Sequence, residues 1–569
     1  MKRQRGPLEG ALTRLERAFR SVRYRVRDQR DRRRLVRATC GIDPRSFVEL
    51  GSRLPAVHFL VLASDDSPEG GRTHSRCLES IRGQIRPVAG VTTIHERPLE
   101  GIRAALDTLN HGHVAICPAT TRLCDDATLW IGLAIASASG WKALYADHVD
   151  ETLTGGGVTS IPHIKPDFSW LYLLARNFVE PFVVYDRDVL SAAVRCLLDA
   201  PAPQRSAAEI CYAIALEALH GLDTTSVLHV RHPLAMIGPS ASPPLEGVAA
   251  AALARRGITA RVTAHPCDPT VHQFTFSRSS SPHVSIIIPT KNADGLVTTC
   301  ISAARATAGY DAYDITVIDH DSDEPALLDY LGRESAAGRL SVLRYRGPFN
   351  YAAMNNAAVR GTKAPLVLFL NNDIDGFSSG WLDQLVATIE LDPAIAAVGC
   401  RLHYPDGDVQ HAGVVFTPRR HGFHGHAGLP HAALGYRGRI HSLQEYSAVT
   451  AAMMLVRRDA FEAVGGFDET FPDDYNDVDL CLRLRRAGAR IVYTPHVSAV
   501  HWESRTRTAK YTAKDVFEAR WGDSFDRDPF YSPHFSEREF APNALERLWR
   551  ERKLVALRDA LAVGPARTC

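Results

Sequence analysis

The sequence predicts an α/β protein with two such units in succession, and two observations lead to this prediction. From residue 283 onward, apolar stretches of strand length alternate with segments of helical periodicity, and a weaker alternation of the same kind runs from 55 to 245. The 569 residues are 45% apolar and 23% charged, which is ordinary for a chain that buries hydrophobic cores. Strands that alternate with helices are typical of parallel sheets, which bind ligands at the carboxyl ends of their strands.

The C-terminal alternation is regular enough to assign each element. Pro289 ends a run of buried strand character, and each later strand is followed by a helical pattern. The predicted strands are 284–288, 314–318, 340–345 and 366–370, and the predicted helices are 296–306, 325–333, 351–360 and 380–391. Polar and acidic residues follow the strands, so a ligand site is expected at that edge of the sheet.

Two Ser- and Pro-rich breaks, at 239–244 and 278–282, suggest the domain boundaries. The predicted organisation is a basic helix over 1–38, an α/β unit over 55–245, a linker over 246–282, a second α/β unit over 283–535 and a helical extension over 536–569. In the first unit, short apolar runs lie at 58–63, 114–117 and 143–145, and a helical pattern spans 126–138.

The first 37 residues hold fourteen Lys and Arg against four acids, whereas the whole chain has a formal charge of only +2. The overall balance argues against a nucleic-acid coat protein, so no nucleic-acid partner is expected. Apolar residues at positions 8, 12, 15, 19, 22 and 26 form one helical stripe. A basic amphipathic helix can bind an anionic membrane surface, and it can equally pack on its own domain.

Cysteine usage and hydropathy favour a cytoplasmic location. The eleven cysteines form no C-x-x-C pair, and the odd count in a long chain argues for reduced thiols. The longest apolar runs fall short of the roughly 20 residues that cross a bilayer, and no signal peptide is predicted. The expectation is a cytoplasmic protein that binds peripherally to the inner face of the cell membrane through residues 1–37.

The segment 366–375 is the strongest local signal of chemistry. A buried strand leads directly into Asn371, Asn372, Asp373 and Asp375. Carboxylate oxygens placed this way suit Mg²⁺ or Mn²⁺, and such an ion can neutralise a diphosphate leaving group. The alternative is an acidic turn that caps the next helix. The sequence contains neither a P-loop nor a G-x-G-x-x-G fingerprint after a strand.

Two further residues are candidates for the same site. Asp477 lies in the first turn of a predicted helix over 476–486, where the helix dipole favours an ionised carboxylate that can act as a general base. The alternative is a carboxylate that only caps the helix. His501 ends an apolar strand, where its imidazole could bind metal or phosphate, or could serve a structural role.

Together these segments resemble the family-2 glycosyltransferases with a GT-A fold, a Rossmann-like mixed sheet that binds nucleotide-diphosphate sugars. The resemblance covers about 284–533 and includes the branch of bacterial surface-polysaccharide enzymes and rhamnosyltransferases. The segments that carry it are VSIIIPTKN (284–292), VIDHDSDE (317–324), GPFNYAAMNNAAV (347–359), FLNNDID (369–375), LHYPDGDVQHAGVVF (402–416), GGFDE (465–469), NDVDLCLRLRRAG (476–488), HWES (501–504) and RWGDSFDRDPFYSPHFS (520–536).

The resemblance implies an inverting transfer of a sugar, from a UDP- or dTDP-sugar to a hydroxyl of a surface polysaccharide or lipid-linked glycan, with a divalent metal, Mn or Mg, as cofactor. Asp477 would be the catalytic base, and the loop 465–469 would contact the acceptor. The metal ligands would be Asp373, Asp375 and His501, with Asn371 replacing the first acid of the D-x-D motif. The donor-binding residues would be Pro289, Thr290, Asn292, Asp319, Asp321, Asn356 and Asn372, of which Asp319 contacts the nucleoside.

The first half resembles the N-terminal unit of tandem glycosyltransferases in this branch, through 145–151 and 163–190. It runs into Pro118, Ala119 and Thr120 where a D-x-D motif is expected, so it is predicted to be a degenerate GT-A-like domain. The competing interpretation is a second site on Asp147 and Asp150.

The residues leave three more hypotheses open. The first is a non-catalytic scaffold that binds glycans or nucleotides, and the second is a sugar-nucleotide transferase or pyrophosphorylase. The third concerns the seven histidines of 403–441, which could bind zinc or form a structural loop.

Overall fold

The computed structural model describes residues 54–63, 68–154, 157–199, 206–238, 244–417, 420–502, 513–522, 528–532 and 534–535. The predicted basic helix within 1–38 and the predicted extension over 536–569 lie outside these residues. The described chain forms two compact units, one from 54–168 with 178–238 and the other from 169–177 with 244–535. Within the described chain, no helix combines the length and the apolar character needed to span a bilayer.

The first unit is a mixed sheet with helices packed against it. Its strands are β1 (His58–Leu62), β2 (Gly90–Ile94), β3 (His113–Pro118), β4 (Thr121–Leu123), β5 (Ala143–Thr154), β6 (Gly157–His163), β7 (Val183–Asp186) and β8 (Val227–Ile237). Its helices are α1 (Pro68–Arg82), α2 (Pro98–Thr108), α3 (Ala127–Ser137), α5 (Arg187–Asp199) and α6 (Ala207–Ala218). The short helix α4 (Trp170–Ala175) groups with the second unit.

The core of the first unit forms where apolar strands meet apolar helix faces. All five residues of β1 are buried, and α3 buries eight of its residues, including Trp130. Burying one such large apolar side chain stabilises a fold by roughly 1.5–3 kcal/mol. The sheet has the order β2-β1-β3-β7-β5-β8-β4, and β6 pairs with β5.

The second unit has a larger sheet of the same kind. Its strands are β9 (Ala260–His265), β10 (Asp268–Phe276), β11 (Val284–Thr290), β12 (Tyr313–His320), β13 (Ser341–Tyr345), β14 (Leu366–Leu370), β15 (Ile374–Asp375), β16 (Ile395–His403), β17 (Val409–His411), β18 (Val414–Thr417), β19 (Arg420–His424), β20 (Gln444–Glu445), β21 (Met453–Arg457) and β22 (Arg490–His501). Its helices are α7 (Glu246–Arg255), α8 (Asp294–Thr307), α9 (Pro325–Ala336), α10 (Tyr351–Gly361), α11 (Trp381–Ile389), α12 (Arg458–Ala463), α13 (Asn476–Arg486) and α14 (Lys514–Trp521), together with a 3₁₀ segment, Tyr436–His441.

The order of the main sheet is β13-β12-β11-β14-β21-β16-β22-β15, with β17 on β16 and β20 on β22. The strands β13, β12, β11 and β14 are parallel, as the sequence predicts. The strand and helix predictions over 284–391 are confirmed to within three residues at every end. The parallel edge is where polar loops follow β11, β12 and β14.

Every strand of the first unit's sheet has a counterpart in the main sheet of the second unit, which adds β13 and β20. In the first unit β2-β1-β3 are parallel, β7 is antiparallel to both β3 and β5, β8 is parallel to β5, and β4 is antiparallel to β8. The strands β12-β11-β14, β21, β16, β22 and β15 repeat each of these pairings. The hairpin partner β6 corresponds to β17. The predicted tandem arrangement is therefore visible in the topology.

Residues 246–282, which the sequence analysis treats as a linker, contain α7 and the β9–β10 hairpin, and they group with the second unit. Their apolar side chains explain this, because Val271, Phe274 and Phe276 are each no more than 3% exposed. Arg176, beside α4, also ties this segment into the second unit by an ion pair of 3.0 Å to Asp268.

Candidate active site

A sharp turn after β14 brings Asp373 next to His501. The strand β14 is fully buried, and the chain turns over 371–373 before β15 pairs antiparallel with the end of β22, so that Ile374 lies opposite His501. The Nε2 atom of His501 lies 3.1 Å from Oδ1 of Asp373. The backbone fixes this approach, because Trp502 N–H donates to the carbonyl of Asp373 at 2.9 Å.

The Asp373–His501 pair fits a divalent cation. Nδ1 of His501 lies 2.8 Å from the amide oxygen of Gln410, which can only accept, so Nδ1 holds the proton and Nε2 presents its lone pair. Oδ1 of Asp373 is buried and has no hydrogen-bond partner among the described residues. A carboxylate oxygen and an imidazole lone pair that face each other at 3.1 Å suit a metal ion that accepts both.

The second acid of this loop, Asp375, lies close to the first. The thiol of Cys300 is buried, and burial first, then the charges of Asp373 and Asp375, raise its pKa to about 12. Both carboxylates are therefore near the same buried sulfur atom. The amide nitrogen of Asn371 lies 3.4 Å from Nε2 of His501, so this side chain also borders the candidate metal position.

The residues predicted to bind the donor line the ends of β11 and β12. The hydroxyl of Thr290 accepts from the Asn372 amide at 2.9 Å. This bond links the loop after Pro289 to the loop 371–375, called the metal loop below for the cation that it would hold. The side-chain oxygen of Asn292, a residue with φ 55°, accepts from the backbone N–H groups of Asp323 and Glu324. These bonds join the loops that follow two adjacent parallel strands.

Asp319 and Asp321 end β12 in different environments. Asp319 is 1% exposed and pairs with the more exposed Arg344, whose Nη1 lies 2.6 Å from its Oδ2. Asp321 is exposed and has φ 49°, a conformation that Asp tolerates better than most residues. The carboxylate of Asp319 is thus fixed by a cation, whereas that of Asp321 faces solvent.

The candidate base Asp477 is tied to the metal loop through two adjacent residues. Its Oδ2 accepts from the N–H of Ala451 at 3.0 Å, and the carbonyl of Ala452 accepts from the N–H of Asn371 at 2.8 Å. The hydroxyl of Tyr351 donates to the carbonyl of Ala451 at 3.2 Å. Burial, and then the charge of Asp477, raise the pKa of Tyr351. The structure therefore connects 373, 477 and 501 within one part of the fold.

Asp479, two residues after Asp477, has a role that the sequence analysis did not identify. It is fully buried and accepts from Arg483 at 2.7 Å, Arg520 at 2.9 Å and the indole N–H of Trp521 at 2.9 Å. It therefore anchors α14 to the start of α13. Residues two apart point to different sides of a helix. The pattern of apolar residues around Asp479 is the sequence signal that could have identified Asp479 as the buried acid and Asp477 as the other.

Asn356 contacts the 465–469 loop. Its amide donates to the carbonyl of Phe467 at 2.8 Å and to the Glu469 carboxylate at 3.1 Å, and its oxygen accepts from the N–H of Phe467 at 2.9 Å. These bonds hold the loop that the resemblance assigns to the acceptor. Donor binding by Asn356 stays a prediction.

Asn356 also lines a cavity of about 550 Å³. It is lined by Val359, Arg360, Phe461, the 464–469 loop and Arg483. Neither Asp373, Asp477 nor His501 lines it, so the chemistry described above is not centred there.

The first unit lacks these groups at the equivalent positions. The turn before β4 is formed by Pro118, Ala119 and Thr120, and Ile237 pairs with Thr121 as His501 pairs with Ile374. The helix α6 begins with a capping box between Ser206 and Glu209, and alanines occupy the two positions between them, 207 and 208. That the first unit is degenerate stays a prediction.

Comparison with known proteins identifies a glycosyltransferase domain in the second unit. The family described as "Glycosyltransferase like family 2" matches residues 282–524. The chain is 29% identical over 524 residues to the uncharacterized protein y4gI of Sinorhizobium fredii, covering 87% of this chain and 56% of that protein. It is 32% identical over 434 residues to the O-antigen biosynthesis protein RfbC of Myxococcus xanthus, covering 71% and 32%.

A third relative is the N-acetylglucosaminyl-diphospho-decaprenol L-rhamnosyltransferase of Mycobacterium tuberculosis, 31% identical over 147 residues, which are 25% of this chain and 48% of that protein. This chain spans about half or less of the length of these relatives. The matched segment, 282–524, contains every candidate site residue described above. Residues 282–524 therefore match a family-2 glycosyltransferase domain, the family that the sequence segments resemble.

Proposed function

We propose that this protein transfers a sugar from a nucleotide-diphosphate sugar, a UDP- or dTDP-sugar, to a hydroxyl of a cell-surface polysaccharide or lipid-linked glycan, with inversion at the anomeric carbon. The observation that carries the proposal is the Asp373–His501 pair at 3.1 Å, with Asp477 tethered beside the same loop. The names of the relatives, O-antigen biosynthesis and rhamnosyltransferase, support this class of acceptor.

Asp373, Asp375 and His501 would hold a divalent cation, Mn²⁺ or Mg²⁺. When bound, this cation neutralises charge on the departing nucleoside diphosphate. The chain itself contributes the orientation of its ligands, since Gln410 fixes the ring of His501 and β15–β22 pairing fixes the loop. The loops after β11 and β12, with Thr290, Asn372 and Asp319, would hold the nucleotide.

Asp477 is suited to the role of base. Backbone N–H groups of Ala451 and Val478 donate to its two oxygens, and these bonds fix the orientation of the carboxylate in the first turn of α13. The acceptor hydroxyl gives its proton to Asp477 while its oxygen bonds to the anomeric carbon. The bond from that carbon to the diphosphate breaks on the opposite face, so the configuration inverts.

The test is a panel of sugar nucleotides with Mn²⁺ or Mg²⁺, in which transfer to lipid-linked glycans is measured by mass spectrometry. With the active donor, Asp477→Asn should lower kcat by about 10²–10⁴-fold, the range of general-base catalysis. Donor affinity, measured by calorimetry, should stay within twofold, because no donor contact is assigned to this carboxylate.

The matched control is Asp473→Asn, which removes an exposed carboxylate four residues earlier and should leave kcat unchanged. Full activity in Asp477→Asn would end the base assignment. A wild-type chain that binds a donor but releases no nucleoside diphosphate with any acceptor would instead favour a non-catalytic scaffold.

A further inference from the structure

We propose that the first unit has a transition-metal site of its own, formed by His148, His163 and Glu180, with zinc as the ion it binds. One ligand atom from each of these three side chains lies within 4.8 Å of the others. Two imidazoles and a carboxylate are a ligand set that zinc takes in proteins. This site lies in the unit that lacks the D-x-D acids, so it is separate from the metal loop at Asp373.

The two histidines are cross-strand neighbours in the β5–β6 hairpin. His148 lies directly opposite His163 in the antiparallel register, and side chains at such positions point to the same face. His148 is fully buried and His163 is 2% exposed. The register of β5 against β8 shifts at Asp147 and His148, which explains why two consecutive polar residues are both buried. Burial of this kind is costly unless the groups are bonded.

The distances around His148 match those between ligands of one ion. Its Nε2 lies 3.2 Å from Nδ1 of His163 and 3.0 Å from Oδ1 of Asp150. Zinc–nitrogen bonds of about 2.0–2.1 Å in a tetrahedron place two ligand atoms about 3.3 Å apart. Without a cation, one proton on Nε2 would have to serve both His163 and Asp150. A metal ion bound by His148, His163 and Glu180 removes this competition for one proton, and Asp150 lies beside the site through its contact with His148.

The neighbouring charges are compatible with a cation at this position. The ammonium of the buried Lys165 is engaged by two backbone carbonyls, those of Ala146 and Glu180. Asp147 is engaged separately, since its Oδ1 accepts from the N–H of Lys165 and lies 2.9 Å from Nε2 of His229. The carboxylates of Glu180 and Asp150 are therefore the ones placed to balance the charge of the ion.

The shared topology shows where this site lies in the fold. The pair His148–His163 of β5 and β6 corresponds to the pair Leu402–His411 of β16 and β17. Gln410, the residue before His411, lies 2.8 Å from Nδ1 of His501, so the equivalent strand positions in the second unit border its metal loop. The first unit would thus hold its zinc ion at the strand positions that border the candidate active site in the second unit. The ion would fasten the β5–β6 hairpin to the segment before β7.

The test measures zinc retained by the full chain, purified without a polyhistidine tag. Asp373→Asn serves as the parent, so that the metal loop of the second unit does not contribute. The protein is stripped with EDTA, exposed to micromolar zinc, desalted and analysed by elemental mass spectrometry. The parent should retain about one zinc per chain, and His163→Gln and Glu180→Gln should each lower this at least fivefold.

The matched control is His403→Gln, which alters another buried histidine in ring contact with a second one, His431, at 4.6 Å. It should retain the zinc of the parent. Retention of a full equivalent by a folded His163→Gln, or no retention by the parent, would overturn the proposal. Should His163→Gln not fold, the Co²⁺-loaded parent decides, because the absence of a tetrahedral cobalt spectrum would equally overturn it.

Discussion

Asn371 is the residue at which this site departs from the two-acid D-x-D pattern of the family that residues 282–524 match. Its amide lies 3.4 Å from Nε2 of His501, so position 371 borders the place where Asp373 and His501 would hold the cation. A carboxylate there would add a negative charge to the ligand set, and affinity for hard divalent cations rises with ligand charge. With the proposed metal site, the neutral amide would set how much free metal the protein needs.

We expect Asn371→Asp to lower the Mn²⁺ concentration for half-maximal activity by roughly tenfold, which corresponds to about 1.4 kcal/mol. Titration of the EDTA-stripped enzyme with Mn²⁺ measures this value, and Asp373→Asn, as the opposite change, should raise it. An unchanged half-maximal concentration in both variants would mean that the loop after β14 does not bind the metal.

Residue types and spacing predict most residues of the candidate site, but they do not predict the partners that hold those residues in place. Asp373, Asp477 and His501 stand out because each lies at the end of a strand or the start of a helix. Their supporting partners, such as Gln410, are far away in sequence and belong to no motif. The same holds for the first unit, where Glu180 is distant from His148, so the sequence offers no spacing typical of a metal site.

At the scale of elements, the loop 465–469 follows α12 and is held by the side-chain amide of Asn356, one of the predicted donor-binding residues. A Cβ atom on Gly466 would lie 2.7 Å from Oδ1 of Asn356 and 3.0 Å from the ring of Phe461. The neighbouring Gly465 has a similar positive φ, 83° against 72°, but nothing lies within 4 Å of its added Cβ. The two glycines therefore separate backbone strain from steric crowding.

We expect Gly466→Ala to destabilise the protein by about 1–3 kcal/mol more than Gly465→Ala, since both carry the left-handed backbone cost and only the first overpacks. It should also raise the KM for the acceptor more than that for the donor, because it displaces the loop assigned to the acceptor. Denaturant unfolding and initial-rate kinetics on both variants measure the two effects. Equal destabilisation would show that Asn356 moves aside freely.

Periodicity predicts the elements of 284–391 well because β11 and β14 are buried along most or all of their length and the helices bury one side. It is less informative for 246–282, where β9 alternates in exposure along a short strand and the break at 278–282 resembles a linker. The sequence predicts only three residues of β5, whereas the strand has twelve. The prediction is too short because the second half of the strand is polar. Polar residues in paired strands leave no apolar pattern to detect.

At the scale of the molecule, two sheets with one topology carry different side chains at their functional edge. The second unit has acids and an imidazole around 373, 477 and 501, and the first has Pro118, Ala119 and Thr120 in the corresponding turn. Fold and chemistry are thus separable in this chain. The proposed zinc site would give the first unit a stabilising role that needs no donor.

The basic segment leads to a prediction about location. Its fourteen cationic residues against four acids should bind an anionic membrane, with each Lys or Arg near the surface contributing about 1 kcal/mol. We expect the full chain to sediment with phosphatidylglycerol vesicles but not with phosphatidylcholine vesicles, and a chain that lacks residues 2–37 to sediment with neither. Unchanged sedimentation after this deletion would contradict membrane binding through the segment.

Buried histidines in the second unit predict how the stability of the fold responds to acid. Burial, and then the charge of Arg439, lower the pKa of His426 to about 3, and burial, and then Arg401, lower that of His403 to about 4. An unfolded histidine titrates near pH 6.5. Between that pH and the lowered values the unfolded chain binds more protons, so the free energy of unfolding falls as the pH falls.

We expect the free energy of unfolding to be constant above about pH 7 and to fall below pH 6.5, by up to about 1.4 kcal/mol per pH unit for each such histidine. His426→Asn removes one of these groups and keeps a side chain that tolerates the φ of 67° at this position. The slope of unfolding free energy against pH, from denaturant titrations between pH 4 and 7, should therefore decrease by about one proton in this variant. The exposed His111 provides the control, since His111→Asn should leave the slope as it is in the wild type. A His426→Asn slope equal to that of the wild type would mean that His426 is protonated in the folded chain, and the acid sensitivity would then have to originate elsewhere.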